Sequence, residues 1–169
     1  VLDWGALDRW LDKIQRADLT ALDTETDSLD GMKAHIIGIS LSTEVGESAY
    51  IPLGHAGPDA PEQLPLDQVL ARLTPWLADA RKPKLGQHIK YDTHVFANHG
   101  MSYEDVAGKG AHQIPFAQVD VVRATQYACE DSDLTLHVHQ VLWPQVQADA
   151  GLLDVYQRME MPTARVLQR

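Results

Sequence analysis

Three short stretches carry residues able to do chemistry together. Asp23-Thr24-Glu25 follows the apolar pair Ala21-Leu22, and residues i and i+2 of a strand point to one face, so Asp23 and Glu25 place two carboxylates side by side. Like charges so placed repel unless something positive joins them. Asp92 follows Tyr91 in the opening turns of a predicted helix, where the helix dipole alone would accommodate it. Tyr127 and Asp131 stand at i and i+4 of a predicted helix, stacked on one face so that phenol and carboxylate could share a water. Singly, each motif is also explained by a solvated turn, a dipole or a half-buried tyrosine. Jointly they fit phosphoryl transfer from a nucleic acid. Two hard cations about 3.5–4 Å apart activate a water and stabilise the leaving oxygen of an in-line displacement. Mg²⁺ and Mn²⁺ take oxygen ligands, which clustered carboxylates supply.

The charge balance agrees with a need for cations. The chain has 24 acidic and 14 basic residues, a net charge of −10, the wrong sign for holding phosphates directly with Lys and Arg. Bound cations, a local basic strip or a partner domain must mediate. Arg81, Lys82, Lys84 and Lys90 form such a strip beside Asp92, which suits a single-strand backbone or an ordinary solvated surface. Cys129 is the single cysteine, which excludes an internal disulfide and suits a reducing compartment. No apolar run approaches the roughly 20 residues that span a bilayer, and Val1-Leu2-Asp3-Trp4 lacks a signal-peptide layout. A cytoplasmic location with no membrane partner is expected. His137 and His139 do not share a helix face, and no zinc or nucleotide-loop motif accompanies them.

The elements that must position the acids are legible from periodicity. At 169 residues, 44% hydrophobic, the chain can bury one substantial core. Leu7, Trp10, Leu11 and Ile14 form the stripe of a first helix over residues 4–14. Strands are predicted over residues 19–22 running into Asp23, over 35–43, over 48–53 after a turn at Gly46-Glu47, and at Lys84-Leu85-Gly86. Residues 54–65 read as a surface loop. Helices are predicted over residues 66–77, with a bend or break at Pro75, and over 89–99 with Gly100 as the stop. A nearly continuous helical pattern spans residues 116–146 through Val119, Val122, Tyr127, Leu134, Leu136, Val138, Leu142 and Val146. Pro144 and Gly151 punctuate it before a last helix. Strands first, then alternating helix and strand, predict an α/β domain with a mixed sheet covered by helices.

Asp23-Thr24-Glu25-Thr26, Gly86-Gln87-x-x-Lys90-Tyr91-Asp92 and Tyr127-x-x-x-Asp131 resemble the three exonuclease motifs of the DEDDy superfamily. The run from Ala21 to Leu29, with Tyr50-Ile51-Pro52, Ala107-Gly108-Lys109-Gly110 and Glu160-Met161-Pro162, is similar to the proofreading domain of bacterial family A DNA polymerases. The resemblance covers essentially the whole chain. It implies a ribonuclease H-like fold with about five strands, and 3′→5′ hydrolysis of single-stranded DNA with two divalent cations, Mg²⁺ or Mn²⁺. It also implies a polymerase domain of the same parent chain as partner. Asp23 would bridge both metals, Glu25 and Asp131 would hold the metal carrying the attacking water, and Asp92 would hold the second through water. Tyr127 would orient the nucleophilic water. Leu29 and Tyr103 match positions packing on the terminal bases, Thr26 lies near the 3′ hydroxyl, and Gln87 and Tyr91 lie along the strand backbone. His88 stands where the family often has Asn. The chain passes directly from Gly100-Met101 to Ser102-Tyr103, where the family carries several dozen residues, so a missing segment is expected there. Both ends read as cut from a longer chain. Two further readings stay open: a catalytically silent scaffold for a polymerase, and a ribonuclease D-like exoribonuclease sharing the motifs.

Overall fold

A computed structural model describes residues 1–87, 89–100 and 116–167. β1 (Thr20–Thr26) pairs antiparallel with β2 (Ile36–Glu44) and parallel with the short β4 (Lys84–Leu85), while β2 pairs antiparallel with β3 (Glu47–Pro52). Among the described residues the sheet therefore has four strands, in the order β3-β2-β1-β4. The four segments with a strand pattern in the sequence are the four that form. The fifth strand implied by the resemblance had no such pattern and is not among them.

Alternation along β1 and β2 gives the sheet two unlike faces. Leu22, Ile39, Leu41 and Ile51 point to one face and are at most 1% exposed. That face is covered by α1 (Trp4–Arg16), α2 (Leu66–Leu77) and α3 (Ile89–Asn98), whose Leu7, Ile14, Leu73, Trp76 and Phe96 join the same core. Asp3 caps α1 by accepting from the Ala6 amide at 2.8 Å. α2 runs through Pro75 to Leu77 without a break, because a proline in the last turn forfeits little of the ladder. Gly100, at φ 76°, ends α3 in the left-handed conformation that glycine adopts without strain.

The other face is built from small residues. Ala21, Asp23 and Glu25 of β1 lie opposite Ser42, Ser40 and Gly38 of β2. α4 (Val121–Ala148) lies across β1, β2 and β3 on this side, and its buried positions are Ala124, Ala128, Ser132 and Leu136, one every four residues. Small residues facing small residues let the helix backbone approach the sheet closely. The helix was correctly expected, but its inner face was not: Val122, Tyr127, Leu134, Val138 and Leu142 are 47–75% exposed. A sheet face of glycine and serine leaves no depth for large side chains, so alanine and serine fill the contact. α4 also continues through Pro144, followed by α5 (Ala150–Val155), a π-helical turn at Tyr156–Glu160 and α6 (Met161–Leu167). No helix among the described residues is long and apolar enough to cross a membrane.

One large side chain does rise under α4. Tyr50 of β3 is buried against Ala124 and Ala128, and a methyl group built on Gly38 would stand 2.0 Å from its hydroxyl. Gly38→Ala is therefore expected to displace Tyr50 and cost about 1–3 kcal/mol. Urea denaturation checks this, and an unchanged midpoint would refute the packing argument.

Candidate active site

The acids gather at the carboxyl end of β1, where the ladder slips by a residue: Glu25 pairs with Gly38 but Thr26 with Ile36. Bulges of this kind re-aim side chains and recur beside active sites. Asp23 and Glu25 point toward α4, which supplies Asp131, and one oxygen from each of the three carboxylates lies within 4.8 Å of the others. Tyr127 stands one turn before Asp131 on α4, and the phenol and the carboxylate each act on the other's ionisation. Beyond Asp131, α4 is tied to the β2–β3 turn by Asp133. Its Oδ1 accepts from the Gly46 amide at 2.7 Å and the Ser42 hydroxyl at 3.4 Å.

Asp92 comes from α3 and is 1% exposed. Its Oδ1 accepts from the Thr24 amide at 3.1 Å and from the Thr24 hydroxyl, so the helix dipole is not its only partner. It stands outside the three-carboxylate group, yet its charge acts on Glu25, and that of Asp23 acts on Asp92. The sequence reading passed over Thr24. Strand alternation already placed it on the opposite face from Asp23 and Glu25, the face that α3 covers. Thr24→Val keeps the shape and removes the hydroxyl from a buried carboxylate, at an expected cost of roughly 1–3 kcal/mol. Chemical denaturation checks this; a stability equal to wild type would count against the contact.

Electrostatics mark the site as unfinished without cations. Burial first, then the charge of Asp131, pushes the Asp23 carboxyl up to about 7, against the Thr24 amide that favours its ionised form. Burial, then Asp23, Asp131 and Asp92, pushes Glu25 up to about 8. Burial and Asp23 hold Asp92 well above the usual carboxylate range. Burial also raises Asp131, against the neighbouring Tyr127 phenol, which favours the ionised form. Among the described residues, Glu25 Oε1, Asp92 Oδ2 and the hydroxyl of Ser40, directly across the ladder from Asp23, are buried without a hydrogen-bond partner. Orphaned buried oxygens are costly. A hard divalent cation would satisfy oxygens of this type and favour the ionised carboxylates. Burial and Asp131 push the Tyr127 phenol up to about 12, so it stays protonated near neutrality and serves as a hydrogen-bonding group.

The expected strand contacts are placed as follows. The Thr26 and Tyr91 hydroxyls lie within hydrogen-bonding reach of each other and of the Ser28 carbonyl, and their two protons make two of these three contacts at a time, shaping the loop after β1. Leu29 projects from that loop, 68% exposed. Gln87 is exposed beyond β4 and, with Asp131, lines a groove of about 400 Å³ that also includes Gly86, Leu134, Val138 and Trp143. His88 and Tyr103 lie outside the described residues.

A family model described as 3′-5′ exonuclease matches residues 1–114. DNA polymerase I of Pseudomonas aeruginosa is 39% identical over 209 aligned positions, covering all of this chain and 23% of the relative. DNA polymerase I of Rhizobium leguminosarum is 35% identical over 224 positions, covering all of this chain and 22% of the relative. The chain thus spans less than a quarter of the length of these curated relatives. Among solved structures, Brucella melitensis NrnC aligns with a TM-score of 0.63 at 16% identity, over 90% of this chain and 83% of that one. The POL domain of Pol1 from M. smegmatis, in complex with DNA primer-template and dNTP, aligns with a TM-score of 0.61 at 20% identity, over 99% and 31%. These structural likenesses establish the ribonuclease H-like fold. The sequence matches say more: the chain belongs to the 3′-5′ exonuclease family of DNA polymerase A-type domains and is similar to part of DNA polymerase I of these bacteria.

Proposed function

We propose that this domain proofreads for a bacterial DNA polymerase, hydrolysing the terminal phosphodiester of single-stranded DNA from the 3′ end with two divalent cations, Mg²⁺ or Mn²⁺. The observation that carries the reading is the convergence of Asp23, Glu25 and Asp131 within 4.8 Å, with Tyr127 one turn from Asp131 on α4. Asp23, Glu25 and Asp131 would hold one cation, with Asp23 shared to a second that Asp92 supports from Thr24. When bound, the cations offset phosphate charge, stabilise charge developing on the leaving oxygen and make water a stronger nucleophile.

The chain's own groups do the rest. Tyr127 keeps its proton near neutrality, so its hydroxyl can both donate and accept a hydrogen bond and is proposed to orient the attacking water. Leu29, exposed on its loop, is proposed to pack on the terminal base, with Thr26 near the 3′ hydroxyl and Gln87 and Tyr91 along the strand backbone. His88 and Tyr103 are proposed as further strand contacts. The polymerase domain of the parent chain is the proposed partner, and the cytoplasm, at the nucleoid, the proposed location. A segment missing after Met101, which lies outside the described residues, is proposed; alignments of 209 and 224 positions against a chain of 169 residues mean that the relatives carry residues this chain lacks.

The test is degradation of a 3′-single-stranded DNA oligonucleotide with Mn²⁺ or Mg²⁺, beside a matched RNA and a chelator control. Stepwise, metal-dependent shortening of the DNA from its 3′ end is expected. Preference for RNA would move the substrate to a ribonucleotide strand. No cleavage of either, with the segment after Met101 restored, would leave a silent scaffold.

A further inference from the structure

We infer that His55 is a positioning residue: it clasps the start of α4 to β3 and so seats Tyr127 and Asp131 over the acids of β1. The inference deepens the exonuclease reading and rests on it for its kinetic readout alone. His55 follows β3 and is 6% exposed. Its Nε2 lies 2.7 Å from the Tyr50 hydroxyl and its Nδ1 lies 3.1 Å from the Val119 carbonyl. A carbonyl only accepts, so Nδ1 carries the proton. Nε2 then accepts, and Tyr50 donates to it. The neutral ring thereby links the sheet to the residues that lead into α4.

Neighbouring contacts make the link stiff. Gln63 brackets the His55 backbone, accepting from its amide and donating to its carbonyl, both at 2.8 Å. The Ala56 amide donates to the Ala117 carbonyl at 2.8 Å. The His55 ring also meets Phe116, with centroids 5.8 Å apart, and Phe116 meets the Tyr127 ring at 6.3 Å. A line of rings thus runs from Tyr50 through His55 and Phe116 to the tyrosine of the site. Asp133 pins α4 on the far side of Asp131, so the two ties flank the residues they position.

The lever is long enough to matter. With α4 pinned at Asp133, a loosened clasp would swing the helix about that point, and Tyr127 lies six residues from it, roughly 9 Å along the axis. A tilt of about 6° would shift Tyr127 by about 1 Å, a displacement that costs reactions on the order of 10²-fold.

Two substitutions separate the clasp from mere packing. His55→Asn retains an amide N–H where Nδ1 donates to Val119, whereas His55→Gln retains the acceptor toward Tyr50 and loses that donor. Both delete the ring. kcat and KM on a 3′-single-stranded DNA oligonucleotide with Mn²⁺ are measured alongside amide hydrogen exchange over residues 121–131. His55→Gln is expected to lower kcat about tenfold or more with KM within about twofold, and to speed exchange over 121–131 about tenfold relative to the sheet. His55→Asn should stay within about threefold of wild type in both. Variants that behave alike, whether intact or impaired, overturn the proposal. So does a fall in Tm with exchange rising evenly over sheet and helix, which would make His55 an ordinary core residue. If the wild-type chain cleaves nothing even with the segment after Met101 restored, the exonuclease reading fails, and the exchange contrast between the two variants still decides the role of His55.

Discussion

Replacing Asp23 with Ala is expected to abolish 3′→5′ hydrolysis, by on the order of 10³-fold or more, since a cation clamp contributes several kcal/mol to transition-state stabilisation. Asp23 is the residue that joins the parts of the site: it neighbours Glu25 along β1 and Asp131 across the gap to α4, and its charge acts on Asp92. Removing it leaves carboxylates that can no longer share a cation. The same position carries a second, opposite expectation. In the metal-free protein the charge of Asp23 is the leading like-charge influence on both Glu25 and Asp92. Asp23→Asn, which conserves volume, should therefore raise the Tm of the metal-free chain near pH 8 while losing activity. For a domain of this size the gain is about 2–4 °C per kcal/mol. Oligonucleotide cleavage and calorimetry with chelator read the two effects. Retained cleavage in the alanine variant would sink the metal-bridging role. A lower Tm in the asparagine variant would show that Asp23 makes contacts which outweigh the repulsion.

The acids could be found in the sequence because chemistry and periodicity pointed the same way. A strand ending in carboxylates at i and i+2, and a phenol and carboxylate at i and i+4, leave few geometries open, and the structure assembles Asp23, Glu25, Asp131 and Tyr127 accordingly. The face of α4 was illegible for a related reason. The large apolar residues give the helical period without saying which side is buried; burial here is decided by the partner, and β2 offers Gly38, Ser40 and Ser42. Only with the strand register in hand does the Ala124, Ala128, Ser132 spacing become the inner face. Thr24 and Asp133 escaped notice because their roles depend on long-range pairs, to Asp92 and to the turn at Gly46, that no local pattern encodes. His55 escaped because its two partners, Tyr50 and Val119, belong to different elements.

Raising the pH from about 5 to about 8.5 is expected to destabilise the metal-free domain, and Mg²⁺ or Mn²⁺ to restore it most at the alkaline end. Asp23 rises from 3.8 to about 7 and Glu25 from 4.5 to about 8 on folding. Below about pH 4 both groups are protonated whether the chain is folded or not, and neither affects stability. Between about 4 and 8 the unfolded chain has released protons that the folded chain still holds, so stability falls as pH rises; above about 8 the slope vanishes. From pH 5 to the folded value of about 7, the change at Asp23 alone corresponds to on the order of 3 kcal/mol, or a Tm lower by on the order of 10 °C. Cations compete for the same oxygens. At 100 times its Kd, a ligand confined to the folded state adds about 2.7 kcal/mol, and the proton-free carboxylates that bind it exist mainly at the alkaline end. Tm without metal and affinity for Mn²⁺ should therefore run in opposite directions across one pH window. Thermal melts with chelator and with Mn²⁺ at each pH measure both. A metal-free Tm that stays level, or a Mn²⁺ shift as large at pH 5 as at pH 8.5, would mean that the three carboxylates do not share one desolvated site.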